Sequence, residues 1–202
     1  MKKLLQKNTF LFKEHIGLLK ASNSYDVYDP QTKEIILHCR EKNLNPFYKI
    51  IRLLIKELKS MTPFEIEISG LDGKKIIKVK KGLSLVLSKI YVFDENDKLI
   101  GFFKQTLFPV GNNFEMFDEK GNLVSKLKGS LIGWNFKFVK DENTIATVTR
   151  KWSGIGKELF TSADNYILDI KDDVEKTSPL RLLIFGAVIC ICLLYTSDAA
   201  DE

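Results

Sequence analysis

Near the end of the chain, Ser178-Pro179-Leu180-Arg181 leads into a run from Leu182 to Ile191 in which no side chain is charged. Ser178 is a suitable N-cap, and Pro179 suits the first helical position, where its fixed φ fits and its missing N–H has no partner to lose. A helix starting at Pro179 is therefore predicted. A helix that is apolar all round must be buried on every side, in a membrane or inside protein. Even extended to Tyr195, the run falls short of the ~20 residues that span a bilayer, and the interior of a β-barrel is the expected site. Burying Leu182, Leu183, Ile184, Phe185, Val188, Ile189 and Ile191 is worth on the order of 10–20 kcal/mol, comparable with the net stability of a whole domain.

The segment that follows, Cys192 to Glu202, reads as the in-frame translation of a transposase-type sequencing adapter. Such scars are set aside from fold reasoning. The expectation is one domain over residues 1–191 with a non-native tail over 192–202. The formal charge of +5 includes Asp198, Asp201 and Glu202, and without them it rises to +8. That excess favours an anionic surface or ligand. Cys39 and Cys190 form neither a disulfide framework nor a CxxC spacing, which suits a reducing, cytosolic setting. Two histidines, His15 and His38, are too few for a His-based metal site, and Gln6, Lys7 and Asn8 interrupt the start before a signal-peptide core forms.

Upstream of the helix the period is two. Strands are predicted around 9–14, 24–29 and 34–40, with Asp29-Pro30 as a turn. Asn45 as N-cap and Pro46 open one amphipathic helix over about 45–60, with Phe47, Ile50, Ile51, Leu54, Ile55 and Leu58 at spacings of three and four. Such a helix is expected to close or flank a sheet, with a membrane-surface role as the alternative. From Pro63 onward Phe64, Ile66 and Ile68 alternate with Glu65 and Glu67, and Ile77 and Val79 with Lys78 and Lys80. Asp-Glu pairs at 94–95, 118–119 and 141–142 recur at intervals of 24 and 23 residues, each ending a strand, as in a β-meander. The predicted fold is mainly β: roughly twelve antiparallel strands closed into a barrel around the C-terminal helix, with the amphipathic helix outside or capping it.

Lys74, Lys75, Lys78, Lys80 and Lys81 crowd one strand without an acid among them. Alternation sends Ile77 and Val79 inward while Lys78 and Lys80 project together on the outer face, a geometry suited to holding lipid phosphates, or equally to protecting an edge strand from aggregation, and the five lysines together are the candidate lipid contacts. Arg150-Lys151-Trp152 joins two cations to an amphipathic aromatic suited to a headgroup boundary or to a barrel rim. Asp164, Asp169, Asp172, Asp173 and Glu175 lack the order of a calcium-binding loop and read as a solvated turn. No GxSxG, HExxH or GxxxxGK[ST] occurs, so no catalytic residue is assigned and a non-enzymatic protein is expected.

Several segments in order resemble the phospholipid scramblase and plant LURP-one-related families of the tubby C-terminal-like superfamily. They are Tyr25 to Pro30, Ile76 to Ser84, Ile100 to Gln105, Gly133-Trp134, Arg150 to Gly154 and Phe160 to Tyr166. The resemblance implies a twelve-stranded barrel around a hydrophobic helix and a role at membranes or in phosphoinositide binding. It also places a calcium segment near Asp164, but Ser162 stands where that segment has its first aspartate, so neither calcium nor any other cofactor is expected. The Pro-rich, palmitoylated extension of scramblases does not precede Thr9. The expected function is reversible binding of anionic phospholipid or phosphoinositide headgroups at a membrane surface, by a cytoplasmic or peripheral protein that takes no nucleic acid. Two alternatives are a scramblase that moves lipid between leaflets with its C-terminal helix inserted, and a protein-interaction module without lipid binding.

Overall fold

In the computed structural model the described residues are 6–14, 24–54, 61–84, 88–106, 113–130, 135–150 and 165–195. Twelve strands appear in chain order: β1 (Thr9–Glu14), β2 (Ser24–Tyr28), β3 (Ile35–Glu41), β4 (Phe64–Gly70), β5 (Lys75–Lys81), β6 (Lys89–Asp94), β7 (Leu99–Thr106), β8 (Asn113–Asp118), β9 (Leu123–Ser130), β10 (Asn135–Lys140), β11 (Asn143–Thr149) and β12 (Asn165–Ile170). Helix α1 (Pro46–Leu54) lies between β3 and β4, and α2 (Pro179–Tyr195) follows β12. Every strand pairs antiparallel with its sequence neighbours, and β1 closes the sheet against β12, with Phe10 opposite Leu168 and Phe12 opposite Tyr166. The expected closed barrel is therefore present.

Twelve strands spaced ~4.8 Å apart and tilted form a wall of backbone radius ~10–12 Å. Lined with side chains, such a wall leaves room for one helix of ~10 Å diameter. α2 occupies it. Leu183, Ile184, Phe185, Val188, Ile189 and Ile191 are buried as expected, whereas Leu182 sits half-buried at the mouth. The helix continues past Ile191, and Cys192 and Leu193 are buried with it. Phe185 meets Phe10 edge-on at 4.6 Å between ring centroids and Phe12 at 5.8 Å. At Gly186 the helix lies so close to the wall that a Cβ would sit 2.9 Å from a methyl of Val92, which only glycine avoids.

The N-terminal end of α2 is sealed by a residue the apolar run does not include. Arg181 is almost wholly buried, and its guanidinium donates to the carbonyls of Lys7 and Val174 and to Asn8 Oδ1 (2.8 Å). A buried charge is tolerated when its donors are satisfied, and here the donors also pin the chain before β1 to the helix start.

The antiparallel order gives the barrel two unlike ends. One carries the short hairpin turns 29–34, 71–74, 95–98, 119–122 and 141–142, together with the start of α2. The recurrent Asp-Glu pairs all fall here, in two forms. Asp94 and Asp118 each accept backbone N–H bonds through Oδ1, from Asn96 and Lys98 and from Lys120 and Asn122, while Asp97 and Gly121 take positive φ. Asp141 and Glu142 instead both adopt positive φ, the signature of a two-residue type I′ turn. The other end carries the longest connections, including the one with α1, together with the four-residue 131–134 and the C-terminal end of α2.

Phe185→Ala, which removes the ring between Phe10 and Phe12, is expected to lower stability by about 3–5 kcal/mol, read as a lower midpoint in urea unfolding followed by circular dichroism.

Candidate functional site

Alternation along β5 divides the five lysines that stand out in the sequence. Ile77 and Val79 face the barrel interior, and Lys81 follows them inward rather than joining an outer row, which corrects the expectation for that residue. Its Nζ donates to the carbonyl of Thr62 (3.3 Å), and burial lowers its pKa to about 8. Lys75, Lys78 and Lys80 do face outward, but acids from neighbouring segments meet them. Asp97 takes Lys78 at 2.6 Å and Lys75 at 2.9 Å, and those two bonds hold its carboxyl down at about 2. Glu65 faces Lys80 at 3.5 Å and Asp72 faces Lys74 at 3.6 Å. A strand that looks like a bare cationic row is thus largely compensated across the sheet.

A different cationic pair is less compensated. On the outer face Lys128 of β9 stands directly opposite Lys137 of β10, both exposed, and neither has an ion-pair partner among the described residues. Like charges directly opposite on a sheet face repel, so this pair favours an anion between or above it. Lys89 and Lys104 form a second such pair across β6 and β7, with Lys89 also placed over the rings of Phe102 (4.2 Å) and Tyr91 (5.1 Å). The Lys128–Lys137 pair has a signal in the sequence, the alternation of lysine with apolar residues in both arms of one hairpin, equidistant from the 131–134 connection.

These cations share an end of the barrel. Lys80, Lys89, Lys104, Lys128, Lys137 and Arg150 all lie toward the end with the long connections, as do the exposed Lys42 and Lys49 beside α1. The opposite end carries Asp72, Asp94, Asp118, Asp141, Asp172 and Asp173 in its turns, where aspartate closes the turn, and acids outnumber lysines there although Lys33, Lys74, Lys98, Lys120, Lys140, Lys171 and Lys176 share that end, as Glu65, Glu67 and Glu115 share the cationic one. Two cavities repeat the contrast. One of about 260 Å³ beside the start of α1 is bordered by Lys42, Lys80, Lys81, Tyr48 and Phe64, with Glu41 and Glu65 at its edge. The larger, about 570 Å³, lies at the turn end, where Asp94, Glu95, Asp118 and Glu119 outnumber Lys98 and Lys120 in its lining.

α1 itself is attached by its charge. Arg52, buried, makes a bidentate pair with Glu41 (2.9 Å to each carboxylate oxygen), and donates to Thr62 Oγ1 and the Pro63 carbonyl, each at 2.7 Å. Phe47, Ile50 and Leu54 remain 64%, 56% and 78% exposed. The helix lies outside the barrel as expected, but these three apolar residues do not cover it. Positions 55–60, expected to continue it, lie outside the described residues.

Of the other sequence candidates, Lys151, Trp152 and Asp164 lie outside the described residues. Asp169 is on the outer face of β12 and accepts a bond from Thr9 Oγ1 (3.0 Å). Among the described residues, no three His, Cys, Asp or Glu side chains group as metal ligands, and no helix is long and apolar enough to cross a membrane. His38 is engaged by the buried Asp26 at 2.8 Å, which also takes Arg40 at 2.5 Å.

Comparison with known proteins adds the context for this surface. The sequence model of the Scramblase family matches residues 7–198. Phospholipid scramblase 1 of Mus musculus is 23% identical over 155 residues, covering 69% of this chain and 47% of that protein. Phospholipid scramblase 1 of Homo sapiens is 21% identical over 155 residues (69% and 48%), and phospholipid scramblase 2 of Homo sapiens is 22% identical over 148 residues (66% and 49%). The chain spans about half the length of the curated relatives it matches. No solved structure matches it significantly.

The buried Lys81 has a pH signature. Its proton leaves the folded protein near pH 8 and the unfolded chain near 10.5, so between those values the unfolded state binds more protons and stability rises with pH. Lys81→Met lacks this rise. The gap in urea midpoint between Lys81→Met and wild type is expected to shift in favour of wild type as pH goes from 7 to 10, measured in a Cys190→Ala background because the Cys190 thiol and Lys81 influence each other's titration.

Proposed function

The chain belongs to the scramblase family, and from that premise we propose that it binds anionic phospholipid headgroups reversibly at a membrane surface, presenting the α1-bearing end of its barrel. Phospholipid is the ligand class because the relatives are named for it. The observation that carries the orientation is the separation of charge along the barrel axis. Cations gather at the end with the long connections and acids in the turns of the other, so an anionic surface attracts one end and repels the other. Strands of six or so residues rise ~20 Å, about twice the Debye length at ordinary ionic strength, and the two ends therefore act as separate surfaces.

Attachment of this kind is peripheral, involves no catalytic step, and is expected to reverse with salt. Lys128 and Lys137 are its leading contacts, supported by Lys89, Lys104, Lys80 and Arg150. Lys74 and Lys75, at the acidic end, are left out of the surface. Insertion of α2 in the bilayer, the alternative suited to lipid translocation, requires drawing a seventeen-residue helix out of the barrel and exposing both its apolar side chains and the wall that surrounds it. The enclosed helix accordingly supports surface binding as the resting state.

Vesicle co-sedimentation tests the reading. Binding to phosphatidylcholine vesicles is expected to rise with added phosphatidylserine and to be reversed by 0.5 M salt. At ~1 kcal/mol for each lysine near such a surface, Lys128→Glu with Lys137→Glu should weaken binding about thirtyfold or more. Lys74→Glu with Lys75→Glu should change it by no more than about twofold, since those residues lie beyond screening distance. The opposite ranking would refute the orientation.

A further inference from the structure

We propose that α1 is a bilayer-inserting element, whose Phe47, Ile50 and Leu54 enter the boundary between headgroups and acyl chains while Arg52 locks the helix to the barrel. The proposal rests on the reading that this end meets a membrane and adds what penetrates it.

Residues 47, 50 and 54 recur at the spacing that places them on one helix face. Arg52 is about 200° around the axis from both Ile50 and Leu54, which puts it on the far side. A surface helix ordinarily turns its apolar face to the core and its charges to water. Here Arg52 is turned in and Phe47, Ile50 and Leu54 are turned out, while Tyr48 and Ile51 are half-buried and Lys49 is exposed. The guanidinium is buried, with the Glu41 carboxylate, Thr62 Oγ1 and the Pro63 carbonyl all fixing its plane, and this anchor sets the rotation of the helix. Asn45 Oδ1 caps the start by accepting from Phe47 N at 2.9 Å. Three large apolar side chains are thereby held outward at the cationic end.

The surroundings select a lipid surface as occupant. Lys49, next to Ile50, and Lys42, just before the helix, are exposed, and neither has an ion-pair partner among the described residues. Lysines flanking an apolar face extend their ammonium groups to phosphates while their stems stay among the chains, the arrangement of helices that lie in the membrane interface. Two weak signals are needed for stable peripheral attachment, and this face adds an apolar one to the electrostatic one.

The test attaches an environment-sensitive fluorophore at Ile50→Cys, the three cysteines already present, Cys39, Cys190 and Cys192, being buried, and compares it with the same label at Lys120→Cys in a turn of the opposite end. On vesicles of phosphatidylcholine and phosphatidylserine, the label at 50 is expected to shift to shorter wavelength and to be quenched by lipids brominated on their acyl chains, with the label at 120 unchanged. Phe47→Gln with Leu54→Gln should weaken vesicle binding roughly tenfold or more without altering its salt dependence, and these exposed positions allow the variant to fold, checked by its thermal midpoint. Protein that binds vesicles with no change at position 50 overturns the insertion and leaves the electrostatic reading standing, whereas protein that binds no vesicle overturns both. A lipid-free dimer that dissociates in the Phe47→Gln, Leu54→Gln variant also overturns it, by assigning the face to a second copy of the chain.

Discussion

Enclosure of α2 by the sheet is the constraint on which the rest of the molecule depends. A helix apolar on every side has no stable place at a surface, and a strand wall lined as this one is with apolar side chains needs a packed occupant. Each makes the other possible, and contacts such as Phe185 against Phe10 and Phe12, or Gly186 against Val92, set the width at which they fit. Closing β1 onto β12 completes the wall and leaves no open edge strand. The buried Arg181 then shuts one mouth by giving its donors to carbonyls at both chain segments that meet there.

With the interior filled by α2, the outside of the barrel and its two ends remain for contact with other molecules. The ends differ in how their connections are closed. Short hairpins require aspartate, asparagine and glycine to close them, and the aspartates bring negative charge to one end as a by-product of turn chemistry. Longer connections have no such requirement, and at their end the strands carry outward lysines. A charge axis along the barrel follows from the same alternation and turn rules that form the sheet. It is also what the proposed orientation of the barrel toward an anionic surface rests on.

α1 adds the apolar component at that end. Its Arg52–Glu41 pair is worth little as net stabilisation, since two charges had to be desolvated to form it, but breaking it would strand a buried carboxylate. Such a pair fixes orientation more than it adds stability. The consequence is a helix whose outward face is the greasy one, a direction that sequence spacing alone leaves undefined because a hydrophobic arc shows that a face exists and not what it touches.

Alternation in Phe64 to Ile68 and Ile77 to Val79, the repeated Asp-Glu turns and the uncharged run after Arg181 were sufficient to specify strands, their antiparallel order and an enclosed helix, because each is a local property with a fixed period. The scramblase resemblance was legible from short segments spread along the chain. The lysines were not legible. That Lys81 turns inward follows from the register of β5, that Asp97 covers Lys75 and Lys78 follows from which turn reaches over that strand, and that Lys128 meets Lys137 follows from the pairing of β9 with β10. Sequence by itself determined what kind of element each segment forms and that the last helix must be surrounded, because periodicity and the cost of exposing apolar surface act within a segment. Only the tertiary structure decided which charges remain available and which way α1 faces, because electrostatic compensation and burial depend on neighbours that the fold brings together.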